Sequence, residues 1–213
     1  MFLNEKYLFG GDEQWLQSGW TSSDDRVRGG YSISHLTCHA NMAVFHGNLD
    51  IEALGGAGFA SQRTVGNDRT WDLSGYDGLL LHIAEADGKK YTLAVKDEIL
   101  PKSPNGREQS TMSWEYEFEP KKDGEKIHLT WGELNPTYRG REKKDAEPLD
   151  LKRVKRFSLM MRRYLLTFSS WGYSVKLDLE SVLAGAMFRV LGCDHNRLAF
   201  CSDIHAGQVS ALE

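Results

Sequence analysis

Short β-rich runs separated by glycine-bearing turns recur along almost the whole chain, and nothing else in the sequence restricts its fold as much. In residues 114–118 (WEYEF) the aromatics Trp114, Tyr116 and Phe118 alternate with Glu115 and Glu117. That period of two is the mark of a strand with one wet face. Residues 79–84 and 91–96 flank Asp87-Gly88, and residues 114–118 and 127–131 flank Asp123-Gly124. Asp-Gly between two β-rich runs predicts a hairpin, because a type I′ turn needs φ > 0 at both central positions. Further strand-like runs are residues 43–49, 58–64, 157–161, 174–179 and 186–191. Amphipathic helical periodicity is hard to find; residues 149–159 predict a helical turn leading into a strand. About eight to ten short strands at near ten-residue spacing point to an all-β sandwich or barrel.

Composition agrees with a globular chain. Of 213 residues, 40% are hydrophobic and 26% charged, with 21 Gly and 5 Pro, which excludes collagen, coiled coil and wholesale disorder. The expected organisation is one sandwich domain over residues 1–191 and a C-terminal tail, 192–213, without a fold of its own. No apolar run reaches the roughly 18 residues of a membrane-spanning helix. A formal charge of −4 argues against a dedicated nucleic-acid binder. Three cysteines, Cys38, Cys193 and Cys201, make an odd count without a Cys-x-x-Cys pair, which favours a reducing compartment. Residues 1–10 (MFLNEKYLFG) show neither a secretory signal nor an Arg- and Ser-rich transit peptide, so the location expected is cytoplasmic or mitochondrial.

Charge is unevenly spread. Residues 139–163 hold ten basic side chains against four acidic ones, a local excess of six set against an acidic remainder. Such a segment is either a solvated loop and edge or a contact face for an acidic partner or anionic ligand.

Most familiar catalytic and metal motifs fail on inspection. Gly55-Gly56-Ala57-Gly58 lacks the third glycine of a dinucleotide loop and runs into a strand pattern, so a turn requiring glycine is the better reading. His35 and His39, with Cys38 between them, would lie about 13 Å apart on a strand, too far for one ion. Cys193, His195, Cys201 and His205 have spacings unlike structural zinc sites. No metal or cofactor is expected. No G-x-S-x-G elbow is present. Asp24, Asp25, Asp97 and Glu98 suit acid–base chemistry, Ca²⁺ ligation or turn capping, and the sequence does not choose among these.

Six segments in order carry a resemblance. They are residues 24–30 (DDRVRGG), 43–49 (AVFHGNL), 56–63 (GAGFASQR), 72–79 (DLSGYDGL), 87–91 (DGKKY) and 135–141 (NPTYRGR). Spread over about residues 15–180, they resemble the complex I intermediate-associated protein 30 family. The resemblance implies a galactose-binding-like jelly-roll β-sandwich. It also implies a non-catalytic, chaperone-like role in assembling respiratory complex I through contacts with protein clients.

The same residues also have direct physical readings. Gly29-Gly30 and Gly56/Gly58 supply close backbone approach. Arg26, Arg63, Arg139 and Arg141 either line one groove as carboxylate- or phosphate-binding forks, or make structural ion pairs, Arg26 and Arg63 with Asp24 or Asp97. Trp20, Trp71, Trp114, Trp131 and Tyr138 are candidates for a concave binding face or for the core. The binding set expected is therefore Asp24, Arg26, Arg63, Asp97, Trp114, Tyr138, Arg139 and Arg141. The leading reading is a protein-binding module. The alternatives are an enzyme using the concave face for isomerisation or cyclisation of a small molecule, and a carbohydrate-binding module.

Overall fold

A computed structural model describes residues 5–163 and 173–185. The expected tail, residues 192–213, the run at 186–191 and the Cys193, His195, Cys201 and His205 set lie outside these. Thirteen strands occur among the described residues: Glu5–Gly10 (β1), Trp20–Ser22 (β2), Ile33–His39 (β3), Met42–Leu49 (β4), Gly58–Thr64 (β5), Gly78–Ala86 (β6), Tyr91–Lys96 (β7), Met112–Phe118 (β8), Glu125–Thr130 (β9), Asn135–Tyr138 (β10), Arg141–Glu142 (β11), Arg156–Arg163 (β12) and Tyr173–Gly185 (β13). The helices described are four 3₁₀ turns, one of which, Leu151–Arg153, leads into β12 as the sequence predicts. None is long and apolar enough to cross a membrane.

The strands form two antiparallel sheets. One runs β3-β4-β13-β6-β9, with β1 beside the second half of β13; the other runs β11-β10-β8-β7-β12-β5-β2. Their inner faces meet in one core that includes Phe45, Leu81, Leu129 and Leu177 from the first sheet and Leu93, Phe157 and Leu159 from the second. An aromatic cluster adds to it: Phe9 packs on Trp20 at 5.0 Å and on Trp15 at 5.5 Å, and Trp71 meets Phe157 edge-on at 5.1 Å. This is the jelly-roll sandwich expected.

Both Asp-Gly hairpins are corrected. β6 pairs with β13 and β9 in the first sheet, whereas β7 pairs with β12 and β8 in the second. Likewise β8 lies in the second sheet and β9 in the first. Gly88 and Gly124 do have φ of +71° and +82°, but Asp87 and Asp123 do not share the left-handed region, so neither turn is type I′ and the chain steps across the sandwich instead of folding back in one sheet. Sheets stack about 10 Å apart, a gap that the few residues after Ala86 span with ease. Strands rich in buried residues find partners by burial of both faces, which outranks a local turn preference. The first corner is tied by Asp87, whose carboxylate accepts from the Lys89 amide, the Tyr91 hydroxyl and the Lys176 amide at 2.8–3.1 Å.

Candidate functional site: a cationic groove

The outer face of the second sheet is built by alternation. In β12 Phe157, Leu159 and Met161 enter the core while Arg156, Ser158, Met160 and Arg162 line the opposite face. In β5 that face receives Phe59, Ser61 and Arg63, in β7 Ala94 and Lys96, and in β8 Ser113 and Glu115. Together with the mouth loops they enclose a groove of about 970 Å³. Its charged lining comprises eight basic side chains (Arg26, Arg28, Arg63, Lys96, Arg107, Arg139, Arg156, Arg162) and three acidic ones (Asp24, Glu108, Glu115).

The carboxylates are all engaged. Glu108, from the connection after β7, bridges two guanidiniums, at 2.8 Å to Arg63 and 3.0 Å to Arg156. Glu115 pairs with Arg162 and accepts from the Thr137 hydroxyl at 2.8 Å. The second fork of Arg162 reaches Glu117 at 2.7 Å and holds that carboxyl below the usual carboxylate range. The cations are in surplus. Lys96 donates to the Thr111 hydroxyl and carbonyl at 3.0 and 3.3 Å; burial, then the charge of Arg156, push its ammonium below the ordinary lysine value. Among the described residues Arg26, Arg28, Lys96, Arg107 and Arg139 form no ion pair with a carboxylate.

One mouth loop is held from beneath by two buried aspartates. Asp25, fully buried, accepts from the Ser32 amide and hydroxyl and from the Phe59 amide at 2.7–3.1 Å. Asp24 accepts from the Ser34 amide and hydroxyl and from the Ser61 amide at 2.5–3.1 Å. The glycines belong to this device: Gly29 has φ +88°, and a Cβ at Gly30 would lie 2.3 Å from the Asp25 carboxylate. The loop thus presents Arg26, Val27 (77% exposed) and Arg28, the last over the Phe59 ring at 5.4 Å.

At the opposite rim, β10 and β11 form a hairpin with a two-residue loop, Arg139-Gly140, at φ +54° and +75°. A left-handed non-glycine residue costs about 1 kcal/mol or more and concentrates at functional positions. The Arg139 guanidinium lies 5.4 Å from the Tyr138 ring centre and donates to the Ser110 hydroxyl at 3.2 Å.

Of the expected set, the structure brings together Asp24, Arg26, Arg63 and Arg139. The other four stand elsewhere. Asp97 accepts from the Asp150 amide at 2.9 Å, Trp114 is buried in the core, and Tyr138 and Arg141 lie outside the lining. The ion pairs weighed for Arg26 and Arg63 are also corrected: Arg63 pairs with Glu108, and Asp24 is consumed by serine and backbone donors. Trp20 and Trp71 are core residues as well, and Trp131 donates to the Tyr76 carbonyl at 2.7 Å. Sequence reading missed Arg28, Lys96, Arg107, Glu108 and Glu115 as site residues and held Arg156 and Arg162 only as members of the basic segment 139–163. The even positions 156, 158, 160 and 162, alternating with Phe157, Leu159 and Met161, carried the signal for these last two. His35 stacks on His46 at 5.3 Å, and no cluster of metal-ligating side chains occurs among the described residues.

Residues 7–177 match the family described as complex I intermediate-associated protein 30. The chain is 41% identical over 184 residues to an uncharacterized protein of Schizosaccharomyces pombe, covering 83% of this chain and 82% of that one. In fold it is similar to the family 11 carbohydrate-binding module of the cellulosomal cellulase Lic26A-Cel5E of Clostridium thermocellum. The TM-score is 0.54 at 16% identity, covering 88% of this chain and 98% of the module. The same kind of module in complex with a β-1,3-1,4-mixed-linked tetrasaccharide gives 0.53 at 16% identity, covering 87% and 98%. At that identity the likeness speaks for the sandwich and not for a ligand. The family match spans most of the chain, contains both the aspartate-held loop and the strained hairpin, and agrees with the fold: the chain belongs to the complex I intermediate-associated protein 30 family.

Proposed function

We propose that the chain is a non-catalytic binding module that holds a protein client in the cationic groove and serves the assembly of respiratory complex I. The observation that carries this reading is the charge pattern of the groove: its three carboxylates are bound by internal partners, while five of its cations have no carboxylate partner among the described residues. Engaged carboxylates are poorly placed to move protons, whereas surplus exposed guanidiniums suit recognition. The family supports the link to complex I. The carbohydrate reading finds less support, because among the described residues the lining contains neither Trp nor Tyr and its one aromatic, Phe59, lies under Arg28. Affinity-tagged full chain, recovered from cells of its own source, should enrich complex I subunits by mass spectrometry. The double variant Arg26→Glu/Arg139→Glu should lose them. Recovery of no complex I subunit by the unaltered chain would overturn the assembly role.

A further inference from the structure

A client-binding groove still needs a chemistry to read, and its floor names one. Arg156 lies directly opposite Lys96 across the β12–β7 pair, and Arg63 faces Ser158 across the β12–β5 pair. Like charges opposed on neighbouring strands destabilise a sheet unless something neutralises them. Glu108 does so in part, reaching in from outside the sheet to seat one carboxylate between Arg63 and Arg156. One carboxylate for three cations leaves a surplus. Arg156 is 4% exposed and spends its terminal nitrogens on Glu108 at 3.0 Å and Asn67 at 3.1 Å, so it acts on an incoming acid through its charge, while the Lys96 ammonium has only Thr111 as a hydrogen-bond partner among the described residues. An acidic group entering here would meet donors already fixed in place.

The surplus continues along the groove in both directions. Arg26 and Arg28 stand at the β5 side and Arg139 beyond β8, with Arg107 next to Glu108 in the connection after β7, and Val27, Leu54, Ile99 and Met160 supply apolar surface in the lining. β5, β12, β7 and β8 are successive neighbours and the Arg139-Gly140 loop after β10 closes the far side, so the groove is about 19 Å across at the usual strand spacing. A peptide crossing it at about 3.3 Å per residue covers roughly six residues, with alternate side chains facing down. Single-stranded nucleic acid would call for a series of aromatic stacking platforms, whereas among the described residues the lining offers Phe59 alone, covered by Arg28. We infer that the groove takes an extended acidic segment of a client protein, in which carboxylates alternate with apolar side chains and one carboxylate binds Lys96 in the field of Arg156, beside Glu108. This rests on the client-binding reading above.

The full chain would be titrated against a fluorescein-labelled hexapeptide of alternating aspartate and leucine, followed by fluorescence anisotropy. Saturable binding that weakens with salt is expected, with none for the peptide in which asparagine replaces aspartate. Glu108→Gln should tighten binding by about fivefold, because it removes the resident competing charge. Arg26→Glu/Arg107→Glu, at two exposed positions that do not enter the core, should weaken it by about tenfold or more. Equal binding of the neutral peptide, displacement of the acidic peptide by a hexauridylate, or unchanged or weaker binding by Glu108→Gln would each overturn the inference. A chain that captures complex I subunits but ignores the acidic peptide keeps the assembly role and loses this inference. Peptide binding without capture of those subunits does the reverse.

Discussion

The floor and the rim of the groove use the same residue types for different work. On the floor, the side chains of Arg63, Arg156 and Arg162 are 20%, 5% and 15% exposed, and each is clamped to a carboxylate. At the rim, Arg26, Arg28, Arg107 and Arg139 are exposed and pair with no carboxylate among the described residues. Floor charges therefore set the field and hold the strands in register, while rim charges remain available to a partner. In binding, rim charges mostly govern approach and salt dependence, and buried ones govern release. Stability and recognition should accordingly separate when the two sets are altered one at a time.

The largest effect is expected beneath the rim. Asp25→Ala removes three hydrogen bonds to a buried carboxylate and leaves the Ser32 and Phe59 amides without an acceptor. A loss of about 3 kcal/mol is expected in urea unfolding. Asp25→Asn should lose less, since the amide oxygen still accepts part of the set. If Asp25→Ala left stability unchanged, the loop would not be built on this carboxylate. Next comes the floor. Arg156→Met keeps the side chain's bulk but leaves Glu108 with Arg63 alone, and a loss of about 2 kcal/mol follows because Glu108 is partly solvated. Thermal unfolding of the variant reads this directly, and an unshifted Tm would mean that the floor pairs do not hold the strands.

Arg139→Asn tests the rim in the opposite direction. It converts the two-residue loop to Asn-Gly, which accepts φ > 0 at both positions. We expect a gain of about 0.5–1 kcal/mol in stability together with weaker client binding. A variant that gained no stability would show that the backbone at Arg139 stores no strain.

The same contrast explains what was legible in the sequence. Strand positions were readable because alternation is local: residues 58–64 coincide with β5, and Trp114 and Phe118 turn inward while Glu115 and Glu117 face out. Strand partners were not, because Asp-Gly fixes a reversal and not the sheet that receives the next strand. The rim was partly legible, since Arg26 and Arg139 sit in turn-like motifs. The floor was hidden because Lys96, Glu108 and Arg156 are far apart in sequence and meet only through the β12–β7 register and the connection that delivers Glu108. The basic stretch 139–163 divides the same way. Arg139, Arg156 and Arg162 enter the groove, while Lys143 pairs with Asp145 and Arg153 with Asp150 on the exposed surface.

Lys96 belongs to the floor but, like the rim cations, has no carboxylate partner among the described residues, and pH should expose that. It is faced by Arg156 and Arg63 on one side, by Glu108 and Glu115 as opposing charges, and by Thr111 as its hydrogen-bond partner. Burial, then Arg156, lower its pKa in the folded chain, whereas in the unfolded chain it returns to about 10.4. Between those two values the unfolded state binds more protons, so this residue makes stability rise with pH across that window. Below the window it carries a standing cost. Urea unfolding at stepped alkaline pH should show that rise in the unaltered chain and a flatter profile in Lys96→Met, the smallest of the stability effects expected here. Binding must run the other way. An acidic ligand that meets the ammonium raises its pKa, so affinity falls as pH rises through the lowered value. Anisotropy titrations across the same range should show that decline only where Lys96 is present; an identical decline in Lys96→Met would place the ligand's carboxylate away from the floor and on the rim arginines alone.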